Sequence, residues 1–598
     1  MRSLLLAASL LASICYAKTV HFSLTLTWEP AAPDGFVRNI IMMNGQFPGP
    51  ELVVDQGDDV EFLVWNNLPN ATSVHFHGID QIGTPWSDGV TGLSQRAIPP
   101  GEVFLYKWNA NEYGSYFYHA HEQSQIIDGL FGAIYVRPRS GSDTPFHLIS
   151  SNPSELAALE KAERNTQPIL TSTWTHLTST ERAEVARDTG LDTFCSNSLL
   201  INGKGSTICL PEAVINASIN PAVIPLLAGM TYTDIGCLPA PLASAGFPFN
   251  LTGLPDGVFA GCHPSTGSQE VITVNAADKY ARFDLTAVGQ LANFFSIDEH
   301  ELIVVAIDGR WVKPTSANVI QMSSGQRYSI VVKLDKTPAK YTIRSVSADI
   351  ALIMQTTAVL AYSGAKNCST PVDKPYITLA GTNGTADTVF LNETKATPYP
   401  PVAPSLEVDH TFVLDIDNAG KSWTWRQGSE SFPINLDHVT PLLFDPTGLG
   451  ANLTLSNKNG SWVDLVIRPL AATNPQHPIH KHSNRFYVLG AGVGAWNYSS
   501  VAEAAKVLPQ GTFNFVDPPI RDTFPTVFSA GGPNWLALRY HSEIPGAFLL
   551  HCHIQDHLFG GMAIALLDGV DKFPKLPDEY LFGNGFKGCG GKSGHKWW

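Results

Sequence analysis

Four histidine pairs separated by a single residue constrain this chain more than any other feature. They are His75-Phe76-His77, His119-Ala120-His121, His480-Lys481-His482 and His551-Cys552-His553. With 19 histidines in 598 residues, simple counting gives roughly 0.6 such pairs by chance. On an extended strand, alternation sends both histidines of a pair to one face and the residue between them to the other. A single pair of this kind is most often surface polarity. Two pairs near the start and two near the end predict a site built where the first and last parts of the chain meet.

The last pair carries a second message. Cys552 lies between its two histidines, with His557 and Met562 following. A thiolate, imidazoles and a thioether make the ligand set of a blue-copper electron-transfer centre. Alone, Cys552 would read as a small buried hydrophobe and Met562 as core; their neighbours change that reading. Neutral imidazole suits copper, zinc, iron or nickel, but the adjoining Cys/His/Met set selects copper. If 551–553 is extended, one tripeptide touches two metal sites at once.

The chain is too long for one core and predicts three or four domains. Charged residues make up only 15% and Gly and Pro number 50 and 42, which suits a loop-rich β protein. A formal charge of −15 argues against nucleic-acid binding, since little basic surface is available to displace phosphate counterions. Residues 1–17 read as a secretory signal: Arg2, an apolar run, then Tyr16-Ala17. No later segment approaches membrane-spanning length, so no membrane contact is expected. Nine Asn-x-Ser/Thr sequons fit a secreted glycoprotein: Asn70, Asn216, Asn250, Asn367, Asn383, Asn392, Asn452, Asn459 and Asn497. With Cys15 in the signal and Cys552 a ligand, Cys195, Cys209, Cys237, Cys262, Cys368 and Cys589 form an even set able to make three disulfides, their pairing open.

Short β-rich runs broken by Gly/Pro turns fill 18–145, at 21–28, 39–43, 59–66, 102–108, 114–119 and 132–136. They predict a β-sandwich. Two helices are expected at 153–164 and 178–188, the second opened by the capping-box pattern Thr178-x-x-Glu181. A second β block covers 165–362; its His263 and His300 are isolated and read as structural or surface residues. A Pro-rich, sequon-bearing linker at 363–407 leads to a third block, 408–575. The Gly-rich tail, 576–598, is expected to be loosely ordered unless Cys589 ties it down.

With these stretches in hand, the chain resembles a three-domain multicopper oxidase of the laccase and ascorbate oxidase family over nearly its whole mature length. The resemblance rests on His75-Phe76-His77-Gly78 with Thr84-Pro85-Trp86-Ser87-Asp88-Gly89, on Gly114-Ser115-Tyr116-Phe117-Tyr118-His119-Ala120-His121, and on Asp128-Gly129-Leu130-Phe131-Gly132. Leu200-Ile201-Asn202-Gly203, His477-Pro478-Ile479-His480-Lys481-His482 and the stretch around Cys552 complete it. It implies an all-β fold of three consecutive cupredoxin-like Greek-key sandwiches with a few short helices. It implies four coppers. A type 1 ion would sit on His477, Cys552 and His557 with Met562 axial, and a type 2 ion on His75 and His480. The type 3 pair would take His77, His119 and His553 on one ion, and His121, His482 and His551 on the other. The remaining histidines, His147, His176 and His541 among them, read as ordinary polar residues.

The activity implied is one-electron oxidation of phenols at the type 1 site, coupled to four-electron reduction of O2 to water at the trinuclear cluster. His557 or His477 would be the exposed edge meeting substrate, and Met562 should keep the potential below that of a Leu or Phe site. Asp88, thirteen residues after His75, stands where the resemblance places an acid beside the type 2 ligands. A turn Asp before Gly89 is the plain alternative, and Asp556 and Asp128 are weaker candidates. Arg96 and Ile127 replace cysteines common in laccases, and Ser483-Asn484 stands where Gly-His is common. Phe76 in place of Trp, with Gly114–His121 and Ser94-Gln95-Arg96, makes the chain most similar to the laccases of filamentous ascomycetes used in conidial pigment and other polyketide pathways. Ferroxidase and ascorbate oxidase are rival readings; a copper-free wall protein is a third, against which the complete ligand set speaks.

Overall fold

The strand Asp59–Asn67 buries Val60, Phe62 and Val64 and leaves Asp59, Trp65 and Asn67 exposed, the alternation of a sheet with one face in the core. It lies antiparallel to Val103–Asn109 and parallel to Thr19–Ala31. The computed structural model describes residues 18–365, 370–471, 474–581 and 583–585. The signal segment 1–17, the sequon Asn367, and both Cys368 and Cys589 lie outside the described residues.

One topology is used three times. In the first block Thr19–Ala31 runs parallel to Asp59–Asn67, and Leu52–Asp55 parallel to Phe131–Arg137. In the second, Gln167–Trp174 pairs with Tyr280–Ala287 and Val271–Val274 with Gln355–Tyr362. In the third, His410–Asn418 pairs with Trp462–Pro469 and Thr454–Ser456 with Ala563–Asp568. Antiparallel strands fill the rest, giving two sheets per block and six among the described residues. Parallel neighbours joined by long connections inside mostly antiparallel sandwiches are what a Greek-key β-sandwich requires. The chain is all-β, with three cupredoxin-like sandwiches in sequence and few helices.

The helix Pro153–Arg164 has Asn152 Oδ1 accepting from Ser154 N–H at its start. The helix Ser179–Thr189 is opened by the capping box of Thr178 and Glu181. Between Lys204–Thr207 and Ser265–Thr266 the chain makes a long excursion that the strand pattern does not foretell. Two disulfides staple it, Cys195–Cys237 and Cys209–Cys262, resolving two of the open pairings. The Pro-rich segment does not hang free: Val372 N–H donates to Lys340 O and Tyr399 N–H to Trp311 O along the second sandwich.

The first and third sandwiches share one continuous core. Leu24, Phe62 and Tyr118 of the first belong to the same apolar cluster as Leu442, Leu549 and Ala565 of the third. Backbone bonds from Leu442 N to Gly92 O (3.0 Å) and Leu443 N to Leu93 O (2.8 Å) stitch the seam. The early part of the tail corrects the expectation of looseness. Helix Asp578–Leu581 buries Tyr580, whose hydroxyl donates to Leu105 O (2.8 Å), and Leu105 N–H donates to Asn584 O (2.9 Å). A buried aromatic anchors what composition alone called flexible.

Candidate metal centre

Each histidine pair sits at the end of a strand facing the seam. Val74–His77 carries His75 and His77; Gly114–Ala120 carries His119 and delivers His121 just beyond. Pro478–Lys481 does the same for His480 and His482, and Gly546–Cys552 for His551, Cys552 and His553. Register places His75 directly opposite His119 and His480 opposite His551. The extended strand ends at Cys552 rather than running through His553, yet the split of directions holds. His551 and His553 point to the seam, while Cys552 points to the far side.

The eight seam imidazoles form one cluster. The nitrogens of His75, His480 and His482 lie within 4.8 Å of one another, as do those of His75, His77 and His119 and those of His121, His482 and His551. Backbone carbonyls fix the tautomers. Nδ1–H donates from His75 to Asp88 O (2.6 Å), from His119 to Ala120 O (2.8 Å), from His480 to Asp522 O (2.9 Å) and from His551 to Cys552 O (2.8 Å). His482 donates Nδ1–H to Asp88 Oδ2 at 2.9 Å. Their Nε2 lone pairs therefore face inward. Burial, reinforced by neighbouring imidazoles, pushes His75, His77, His480, His482, His551 and His553 well below the ordinary histidine range and His119 to about 3; burial alone takes His121 to about 4.

Neutral imidazoles with inward lone pairs repel unless a cation lies between them. His482 Nε2 and His551 Nε2 are 3.2 Å apart, both acceptors. His77 Nδ1 and His553 Nε2 are also 3.2 Å apart, with His77 Nε2 turned to Thr523 Oγ1 and His553 Nδ1 to Ser324 Oγ. His75, His119, His121 and His480 leave buried Nε2 atoms without a hydrogen-bond partner among the described residues. Buried polar atoms are rarely left so unless an ion or water completes them. The donor set fits several copper ions held by nitrogen alone.

On the other face, helix Gln555–Phe559 folds His557 back so that its Nδ1 lies 3.6 Å from Cys552 Sγ. His477 Nδ1 lies 4.0 Å from that sulfur and 3.2 Å from His557 Nδ1. Met562 is fully buried in the same core cluster, accepting from Cys552 N–H and donating to His557 O. Cys552 is free, so its thiolate remains available to a soft metal.

The expectation of an exposed imidazole edge is overturned. His477 is 1% exposed and His557 4%, the latter covered by the segment after helix Ser179–Thr189. Asp192 from that segment brings Oδ2 to 3.3 Å from His557 Nε2, and Trp425 packs 4.5 Å from the His557 ring. Nothing local in Gly190-Leu191-Asp192 announces this; only tertiary folding does. The two weaker acid candidates do other work. Asp556 Oδ2 accepts from Arg182 (2.6 Å) of the second sandwich, and Asp128 accepts from Arg38 and from Ser179 N–H and Oγ–H. Asp522, unforeseen, lies 3.3 Å from His77 Nε2 and is gripped by Arg327 through two bonds of 2.5 and 2.6 Å. His300 and His176 are structural, bonded to Tyr362 and Asp34.

Comparison with known proteins agrees with this geometry. Multicopper oxidase family models match residues 25–141, 165–365 and 421–572. The chain is 40% identical over 582 residues to "Laccase abr2" of Aspergillus fumigatus, covering 95% of this chain and 98% of that protein. It is 37% identical over 607 residues to "Laccase 1" of Metarhizium acridum, covering 96% and 98%. The fold is similar to a laccase crystal structure from Botrytis aclada, with TM-score 0.68 at 23% identity over 94% of this chain and 89% of that one. It is equally similar to Fet3p, described as a multicopper oxidase that functions in iron import, with TM-score 0.68 at 21% identity over 94% of each chain. Copper is the cofactor of this family, at type 1, type 2 and type 3 sites. With inward-facing imidazoles gathered from both ends of the chain and matches across all three sandwiches, the protein belongs to the multicopper oxidases, a family of oxidoreductases.

Proposed function

We propose that the chain is a laccase-like oxidase of electron-rich phenols, coupled to reduction of O2 to water. The observation that carries this reading is the connection between sites. Cys552 faces His557 and His477 on one side of its strand, while its chain neighbours His551 and His553 face the imidazole cluster on the other. His477, Cys552 and His557, with Met562 beside them, would hold the type 1 ion, and His75 and His480 the type 2 ion. His77, His119 and His553, and His121, His482 and His551, would hold the type 3 pair. Bound copper would supply one-electron redox chemistry at the sulfur-bearing centre and four-electron reduction of dioxygen at the imidazole cluster. Four phenols give four electrons and four protons; one O2 accepts both and leaves as two waters.

The chain's own residues handle the protons. Asp192, which covers His557 at 3.3 Å from its Nε2, would accept the proton of a phenol docked against that covering segment as its electron leaves through the imidazole. At the far end Asp88 binds His482 Nδ1 through Oδ2, and burial raises its carboxyl well above the ordinary range, which suits it to relay protons where O2 reduction consumes them. Secretion through 1–17 and glycosylation fit the eight described sequon asparagines, all exposed. Among the described residues no helix is long and apolar enough to cross a membrane. Phenols of polyketide origin, pigment precursors included, are the substrate class we propose within that activity, and relatives named as laccases support its laccase part.

A second reading has one observation behind it. Burial raises the Asp349 carboxyl, with His557 and Asp192 among its charged neighbours, and Asp192 lies 3.3 Å from His557; binding of ferrous ion would need carboxylates at this imidazole. Oxygen uptake by the copper-loaded protein against phenols, ascorbate and ferrous iron separates them. The phenol reading expects diphenols to be oxidised fastest. A wide preference for iron would overturn it.

A further inference from the structure

Between the two cluster histidines His480 and His482 stands a lysine with no exposure at all. Lys481 points away from the imidazoles into the third sandwich, on the same side as Ile479 and Cys552. An ammonium has three donors, and each finds an acceptor: Asp568 Oδ2 at 2.8 Å, Ser483 O at 3.0 Å and His482 O at 3.3 Å. The Tyr540 ring covers it at 4.3 Å. Burying a charge is costly unless it is paired and bonded this fully.

The reason for such a residue lies in the backbone just after it. Ser483 and Asn484 both have positive φ, 45° and 44°, a conformation that asparagine tolerates but serine avoids. Gly would adopt it freely. Here the ammonium gathers the carbonyls on either side of Ser483 instead. Asn484 completes the turn: its amide donates to Ile544 O and to Asp568 Oδ2, and its oxygen accepts from Glu543 and Ile544 N–H, at the entry to the strand bearing His551 and Cys552. Ser483 Oγ, held out by the unusual backbone, accepts from Gln81 N–H of the first sandwich at 3.1 Å. Arg485 then reaches Gly78 O, beside His77, at 3.0 Å.

We propose that residues 481–485 are a latch across the seam, in which the buried Lys481–Asp568 pair holds a left-handed turn so that Ser483 and Arg485 lock the first sandwich to the third and set His480 and His482 in register with His75 and His77. Lys481 is thus a positioning residue, acting through the backbone of its neighbours. The proposal rests on the reading that these imidazoles hold copper.

The test is copper affinity of the trinuclear site, measured by chelator competition and by the spectral signatures of the type 2 and type 3 ions, beside thermal stability. Ser483→Ala keeps the buried pair and removes only the bond to Gln81; it should weaken trinuclear copper several-fold and leave the blue centre unchanged. Lys481→Met with Asp568→Asn removes both charges together, restoring stability relative to Lys481→Met alone, yet trinuclear copper should still weaken by about 10–100-fold. Adding Ser483→Gly, which accepts positive φ but also lacks Oγ, should recover affinity up to the level of Ser483→Ala and no further. Parent-like trinuclear affinity in Ser483→Ala or in the charge-free pair would overturn the latch, as would failure of the glycine to recover affinity. A parent protein that binds no copper would overturn the ligand reading and the latch together.

Discussion

His482 Nδ1 donates to Asp88 Oδ2 at 2.9 Å, a contact between residues 394 positions apart that spans the seam between the first and third sandwiches. The same aspartate accepts His75 Nδ1–H on its main-chain oxygen. One residue thus orients an imidazole from each end of the chain.

Asp88→Asn keeps the shape and removes the exchangeable acid. Oxygen consumption should fall by about 10–100-fold, while anaerobic reduction of the blue centre by a diphenol stays within about twofold of the parent. Stopped-flow bleaching beside steady-state oxygen uptake measures both. Equal loss in the two would place the defect at the wrong end of the molecule.

Asp192→Ala tests the entry side. kcat/KM for phenols should drop by about 100-fold, with a proton-free electron donor affected far less. A matched loss for both donors would mean that Asp192 shapes the centre rather than receiving a proton.

The Arg182–Asp556 pair clamps the second sandwich onto the helix bearing His557, both side chains nearly buried. Arg182→Ala leaves the Asp556 carboxylate without its partner. Unfolding by denaturant should show a loss of about 3–5 kcal/mol, whereas removal of both charges should cost less.

Asp34 is fully buried, and burial by itself would raise its carboxyl. Bonds from His176, Phe36 N–H and Ser198 outweigh that and hold it below its ordinary value. Because the folded value is depressed, its contribution is present above the unfolded carboxyl value of about 4 and is lost as pH falls through the lower folded one. The difference in stability between the parent and Asp34→Asn, followed from neutral pH downward, should shrink across that acid window. A constant difference would contradict the assignment.

What the sequence made legible follows period and spacing. The strand at Asp59–Asn67 shows itself by alternation, and the helix at Ser179–Thr189 by Thr178 and Glu181, because both signals are local. The four His-x-His pairs marked the cluster because strand geometry points both histidines the same way. Asp192 and Asp522 were invisible because their roles come from contacts between sandwiches, and Lys481 because its partner Asp568 lies 87 residues further along the same sandwich; no window of sequence contains either kind of contact. The disulfide-stapled excursion from 208 to 264 was missed for a related reason: irregular backbone has no period, and cysteine positions do not dictate partners. Tyr580 shows the converse failure, one buried ring outweighing a Gly-rich composition.

The central claim is tested most directly by counting copper in the parent and in Cys552→Ser, with the visible spectrum recorded beside each. The account predicts about four ions per chain and a blue protein for the parent, and about three ions with no blue colour for Cys552→Ser, the trinuclear signatures persisting. A parent without copper, or a Cys552→Ser protein that stays blue, would contradict it.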